Sequence, residues 1–309
     1  MSLLKTLFVI TISTARLVFP SVSTVPEGVE APKPPVARMI NVELASQEAA
    51  VAGSKASVAI PESLKLGSSI DLSIDFFSNV EKSTPVKFEL REYWGSGQSA
   101  SASQPKVTNS QEARQADDEQ IPEKSFAFWP GIGAKQFDDT LDFSGAYNLK
   151  TNYCGSTSVT LTKDQRFLDP VDVTLSPAQP NLDKPIVIKW KPVPGAVGYI
   201  LRAYGGSQNR SITWTSSAKP ELSRNIENRP VSSKDLDDYI KHGVIAPSYV
   251  VTSTIPAGIF KGSSSVMLIV TAIGRDITQT VDDVTTWVLV RASTSVPLYS
   301  TPRESKKEK

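Results

Sequence analysis

The stretch Ser69-Ile-Asp-Leu-Ser-Ile-Asp-Phe76 alternates a polar with an apolar residue at every step. In an extended chain successive side chains point to opposite faces, so Ile70, Leu72, Ile74 and Phe76 share one face while Ser69, Asp71, Ser73 and Asp75 share the other. A strand buried on one side and wet on the other is the expected result, and such strands suit antiparallel sheets. Upstream, Ala56, Val58 and Ile60 repeat the pattern, and downstream so do Val86, Phe88 and Leu90. In the second half, Ile186, Ile188 and Trp190 share a face, the run VPGAVG (193–198) makes a turn, and Tyr199, Leu201 and Ala203 share the next face. Tyr249–Thr254, Val266–Ala272 and Thr286–Ala292 read as further strands. Helix is expected only at Ser233–His242, where Asp235, Asp237 and Asp238 precede Lys241 as the helix dipole prefers. Many short strands divided by Pro and Gly turns, without strand-helix alternation, predict an all-β fold of two tandem β-sandwiches.

The 309 residues are enough for two ordinary cores, and 39% hydrophobic with 21% charged residues is globular usage. Thirty-three basic and thirty-two acidic side chains leave a net charge of +1, which offers no overall field for nucleic acid. Cys154 is the only cysteine, so no intramolecular disulfide can form, and beside Tyr153 it reads as a small buried apolar side chain.

The start reads as an export signal over residues 1–23: Lys5 supplies charge, Leu7–Ile12 is mostly apolar, and Ser21 and Ser23 are small residues before a cleavage point. Arg16 interrupts the apolar character. Residues 24–36 carry Pro26, Pro32, Pro34 and Pro35 and read as an extended linker. The boundaries that follow are a first sandwich at 37–169 with a polar insertion at about 95–124, a second at 170–300, and a basic tail at 301–309. The insertion lacks an apolar face and contains Asp117, Asp118 and Glu119, and within it Gly97–Glu123 is expected to be a replaceable surface excursion. No later run reaches the roughly 18 apolar residues of a membrane span. The expected location is therefore periplasmic, cell-surface or extracellular.

IVIKWKPVPGAVGYIL (186–201) resembles the opening strands of fibronectin type III domains, with Trp190 ending one strand and Tyr199 beginning the next. VMLIVTAIG (266–274) is similar to the penultimate strand of that family, although Val266 stands where the family commonly has a tyrosine. The resemblance implies that Trp190 and Tyr199 fill the space between two sheets. In the first half, Asp142 followed by Gly145-Ala-Tyr-Asn-Leu149 resembles the tyrosine-corner strand of immunoglobulin-like domains, so that half is immunoglobulin-like by architecture.

No residue pattern points to catalysis. His242 is the only histidine and sits in a polar segment, so neither a triad nor a zinc site can be assembled around it from motifs. WPGIGAKQF (129–137) lacks the frame of a phosphate loop. Asp138, Asp139 and Asp142 match no calcium-loop spacing and read as loop solvation, as do Asp282 and Asp283. Trp94 and Trp129 lie where strands pass into loops and are the ligand-binding candidates; no cofactor or metal is expected. The function expected is a noncatalytic exported protein that makes protein or cell-surface contacts, with a protein partner or self-assembly. The alternative is a polysaccharide-binding module, and a hydrolase with an unrecognised site is a remote third.

Overall fold

A computed structural model describes residues 4–18, 34–75, 88–109, 124–131, 136–207, 209–263 and 265–298. Strand makes up 48% of the structure and helix 8%, which makes the protein all-β. The first half holds β1 (Thr6–Leu17), β2 (Val36–Ser46), β3 (Ala56–Ala59), β4 (Ser69–Asp71), β5 (Ser73–Asp75), β6 (Glu89–Trp94) and β7 (Lys106–Asn109). It continues with β8 (Ser125–Trp129), β9 (Gly145–Thr151) and β10 (Thr157–Leu161). Next come β11 (Val173–Ser176), β12 (Ile186–Trp190), β13 (Gly198–Ser207) and β14 (Arg210–Thr215). Helices α1 (Pro220–Ser223) and α2 (Ser233–Lys241) precede β15 (Ala246–Pro247), β16 (Thr252–Ile255), β17 (Val266–Ile273), β18 (Ile277–Val281) and β19 (Val284–Leu298).

A twelve-stranded sheet runs β5-β8-β2-β1-β19-β17-β13-β14-β6-β7, with β18 beside β19 and β15 beside β13. Two smaller sheets, β10-β9-β3-β4 and β11-β12-β16, cover it. Both lie on the same face, as β19 makes clear. Its even residues Val284 and Val288 enter the core under the four-stranded sheet, while Val290, Ala292, Val296 and Leu298 enter the core under the three-stranded one. Side chains two apart share a face, so one long strand serves both layers. In the second core Trp190 and Tyr199 are buried, with ring centroids 5.4 Å apart, and the Val193 backbone N–H donates to the Tyr199 hydroxyl at 2.7 Å. In the first, Tyr147 is buried and donates its hydroxyl to the Phe143 carbonyl at 3.1 Å, the backward reach of a tyrosine corner. Its hydroxyl pKa is raised by that burial.

Residues 6–17, which fall within the stretch expected as an export signal, are part of the fold. They form β1, antiparallel to β2 and parallel to β19, at the middle of the large sheet. Phe8, Ile10 and Ile12 enter the first core on one face, while Leu7 and Val9 pack with Leu289 and Trp287 on the other. A strand buried on both faces is an unbroken apolar run, the same pattern an export signal shows. Arg16, which breaks that run, is held within the fold, where it donates to the Val171 carbonyl and lies 3.7 Å from Asp172. Thr14 donates to the Leu168 carbonyl at 2.8 Å and Thr294 to the Val171 carbonyl at 2.7 Å. Adjacent residues Phe167 and Leu168 enter different cores, so these bonds fasten the passage between the two covering sheets onto β1 and β19. Cleavage after Ser23 would remove β1. The cleavage point itself, most of the 24–36 linker and the basic tail lie outside the described residues.

The insertion at 95–124 also differs from expectation in its described part. β6 runs parallel to β14 and pairs with β7, so residues 89–109 extend the sheet beneath the second core rather than the first. Gly95 donates to the Thr215 and Ser217 carbonyls at 2.9 Å each, and the Trp214 indole donates to the Gly95 carbonyl at 2.8 Å. Thr254 donates from its backbone to the Ser96 hydroxyl at 2.8 Å, and Gly97 donates to the Thr254 carbonyl at 3.2 Å. This turn thereby laces β14 to β16 and closes one side of the second layer. Asp117–Glu119 lie outside the described residues. The two cores are therefore not strung along the chain as 37–169 and 170–300. Backbone pairing across distant segments is not visible in a local pattern, and parallel neighbours in particular need long crossovers.

On the opposite face of the large sheet, the segment carrying α1 and α2 covers Ile200 and Ile273 with Ile226, Val231, Val244 and Ile245. Helix α2 starts where expected, with the Ser232 hydroxyl accepting from the Asp235 N–H at 3.1 Å. Arg291 clamps this cover. Its guanidinium meets Asp276 through two bonds of 2.7 and 2.9 Å and donates to the Glu227, Arg229 and Val290 carbonyls at 2.9, 2.7 and 2.9 Å. Asp276 in turn accepts from the Val231 and Val290 N–H groups at 2.8 and 2.9 Å.

Candidate functional site

Beyond the helical cover, at the end of the β13–β14 hairpin, the large sheet carries an open groove of about 730 Å³. Its floor is Gly205 and Gly206. A Cβ at Gly206, where φ is +153°, would stand 2.1 Å from the Arg210 carbonyl oxygen, so only glycine lets the strands close there. The tight hairpin brings Ser207, Arg210 and Ser211 round to face Ser265, Val266 and Met267 at the start of β17 and Pro297 at the end of β19. Phe88, just before β6, and Tyr204 on β13 complete the lining, and they are 38% and 42% exposed, unusual for large rings set on a sheet. Partial burial holds the Tyr204 hydroxyl pKa above its ordinary value, with Arg202 opposing and Glu227 adding to that shift. The ring therefore stays neutral.

Among the described residues Arg210 is the only charged one in this lining. Among the described residues its side chain makes no hydrogen bond or ion pair, and its Nε is buried without a partner. The acid beside it in the ladder, Glu89, is occupied by Arg91 at 2.5 Å. The arrangement offers two aromatic surfaces, three serine hydroxyls and one uncommitted guanidinium along an open trough.

The residues singled out in the sequence lie elsewhere. Trp94, at the end of β6, is partly buried, and its backbone N–H and carbonyl are both held by the Gln104 side-chain amide at 3.1 and 2.9 Å. Trp129, at the end of β8, packs on the first core with Phe137, centroids 6.4 Å apart. Six strands separate β6 from β8, on the order of 30 Å along the sheet, so the two rings share no site. Asp138 accepts from the Thr140 N–H and hydroxyl at 3.0 and 2.9 Å, and Asp142 from the Ser144 N–H at 2.9 Å. Those bonds lower both carboxyl pKa values and shape turns. Asp139 lies 3.3 Å from Arg38. No group of three or more His, Cys, Asp or Glu residues suited to a metal occurs among the described residues. His242 donates Nδ1–H to the Asp238 carbonyl at 2.9 Å behind α2, and Cys154 is buried, which raises its thiol pKa.

Phe88, Tyr204 and Arg210 were not legible as a site. Phe88 reads as one member of an alternating strand, yet β6 begins at Glu89 and the ring is left on the groove. The one local signal was Gly205-Gly206 at a hairpin. Neither protein-family models nor curated proteins match this chain.

Proposed function

We propose that the chain is a noncatalytic contact protein that holds its partner on the groove at the end of the β13–β14 hairpin. The observation that supports this is the exposure of Phe88 and Tyr204 beside an arginine with no internal partner. Exposed rings around an uncommitted charge are the composition of binding surfaces rather than of inert ones. The fibronectin type III resemblance, carried by Trp190 and Tyr199, belongs to this reading as the scaffold of the second layer. An exported location enters it only in a form that keeps β1 with the fold.

A photoreactive residue placed at Phe88 or Tyr204 of the full chain, irradiated in extract of the native host, tests the proposal. Adducts are expected at both positions and not at Tyr249, which is 80% exposed but outside the groove. Equal labelling at Tyr249, or none at the groove, overturns it.

A further inference from the structure

Resting on the contact reading above, we infer that the groove takes an acidic polysaccharide, a chain of sugars bearing carboxylates. Arg210 carries the acidic part. A guanidinium presents a planar fork that matches a carboxylate through paired bonds, and among the described residues nothing accepts a hydrogen bond from the Arg210 side chain. Among the described residues no acidic side chain lines the groove to supply that acceptor or to repel an anion, and Glu89 is turned to Arg91.

The sugar part follows from the remainder of the lining. Phe88 and Tyr204 offer flat apolar surfaces against which the C–H faces of pyranose rings pack. Ser207, Ser211 and Ser265 can each donate and accept, as sugar hydroxyls require. The open trough lets a polymer pass through.

An extended peptide is disfavoured by the sheet itself. Such ligands bind by adding to a free strand edge, whereas here β14 lies between β13 and β6, β13 between β14 and β17, and β17 between β13 and β19. Their backbone groups are already in ladders. Nucleic acid is disfavoured by a single arginine on a chain of net charge +1.

Affinity electrophoresis of the full-length chain through gels containing polygalacturonate, its fully methyl-esterified form or dextran tests the inference. Retardation is expected with polygalacturonate alone. Arg210→Gln should weaken it tenfold or more while leaving the melting temperature within a degree or two, and Tyr204→Ala should weaken it independently. Equal retardation by the esterified polymer, or retention unaffected by either substitution, overturns the inference. If no polysaccharide retards the chain while photoreactive residues at Phe88 and Tyr204 still capture a protein, the polysaccharide assignment falls and the contact reading survives. If capture fails as well, both fall.

Discussion

Arg291 and Arg210 are strand arginines of the same twelve-stranded sheet, and they differ in what their donors meet. Arg291 lies under the helical cover with every nitrogen bonded, to Asp276 and to four backbone carbonyls. Arg210 faces the groove, and among the described residues its side chain makes no hydrogen bond or ion pair. The first is an internal tie: its charge is neutralised and its geometry used up in holding residues 226–231 against β19. The second keeps its full capacity for something outside the chain. Charge at a sheet position says little by itself; the occupancy of the donors distinguishes a structural group from a binding one.

Substitutions graded by that occupancy put the comparison at risk. Arg291→Ala should have the largest effect, about 3–5 kcal/mol, because it strands a fully buried Asp276 carboxylate and leaves carbonyls unpaired. Denaturant unfolding of the whole chain measures it, and a loss below about 1 kcal/mol would mean the helical cover does not depend on the clamp. Next comes Thr14→Val, which keeps shape but leaves the buried Leu168 carbonyl without its donor; about 1–3 kcal/mol should be lost in the same measurement. No change there would remove the tie between β1 and the passage joining the two covering sheets.

Asp172 sits between these extremes, 2.8 Å from the well-exposed Lys191 and 3.7 Å from Arg16. The hydrogen bond from Lys191, then the charges of Lys191 and Arg16, lower its carboxyl pKa from 3.8. A carboxyl depressed in the folded state stabilises fully above its unfolded pKa and loses that contribution as pH falls through the folded value. Asp172→Asn should therefore cost at most about 1 kcal/mol at neutral pH, an exposed pair being well screened, and the difference from the parent should vanish below the folded pKa. Melting curves between pH 7 and pH 2 read this; a difference that persists at the acid end would assign the effect to packing. The smallest effect belongs to Arg210→Ala, within about 0.5 kcal/mol of the parent. A loss comparable to that of Arg291→Ala would erase the distinction on which the groove assignment stands.

Legibility followed the distance over which each feature is assembled. The Trp190–Tyr199 contact is made within one strand-turn-strand unit, so its residues carry it in their spacing. The run Ser69–Asp75 was legible as extended chain but not as two strands, β4 pairing with β3 and β5 with β8 in different sheets. Nothing in an alternating pattern marks where a chain changes partners. The groove was least legible, since its lining comes from before β6, from β13 and β14, and from the opposite ends of β17 and β19.

By itself the sequence determined the all-β character, one tyrosine corner and the helix at Ser233–Lys241, because a two-residue alternation, a turn glycine or a helix cap acts over a few bonds. Only tertiary structure decided that Thr6–Leu17 is a strand shared between both halves of the sheet, and that the turn after Trp94 closes the second layer. Sheet pairing is a long-range choice: identical local patterns are compatible with many partners, and the selection comes from which arrangement buries the apolar faces while satisfying the backbone groups they carry down.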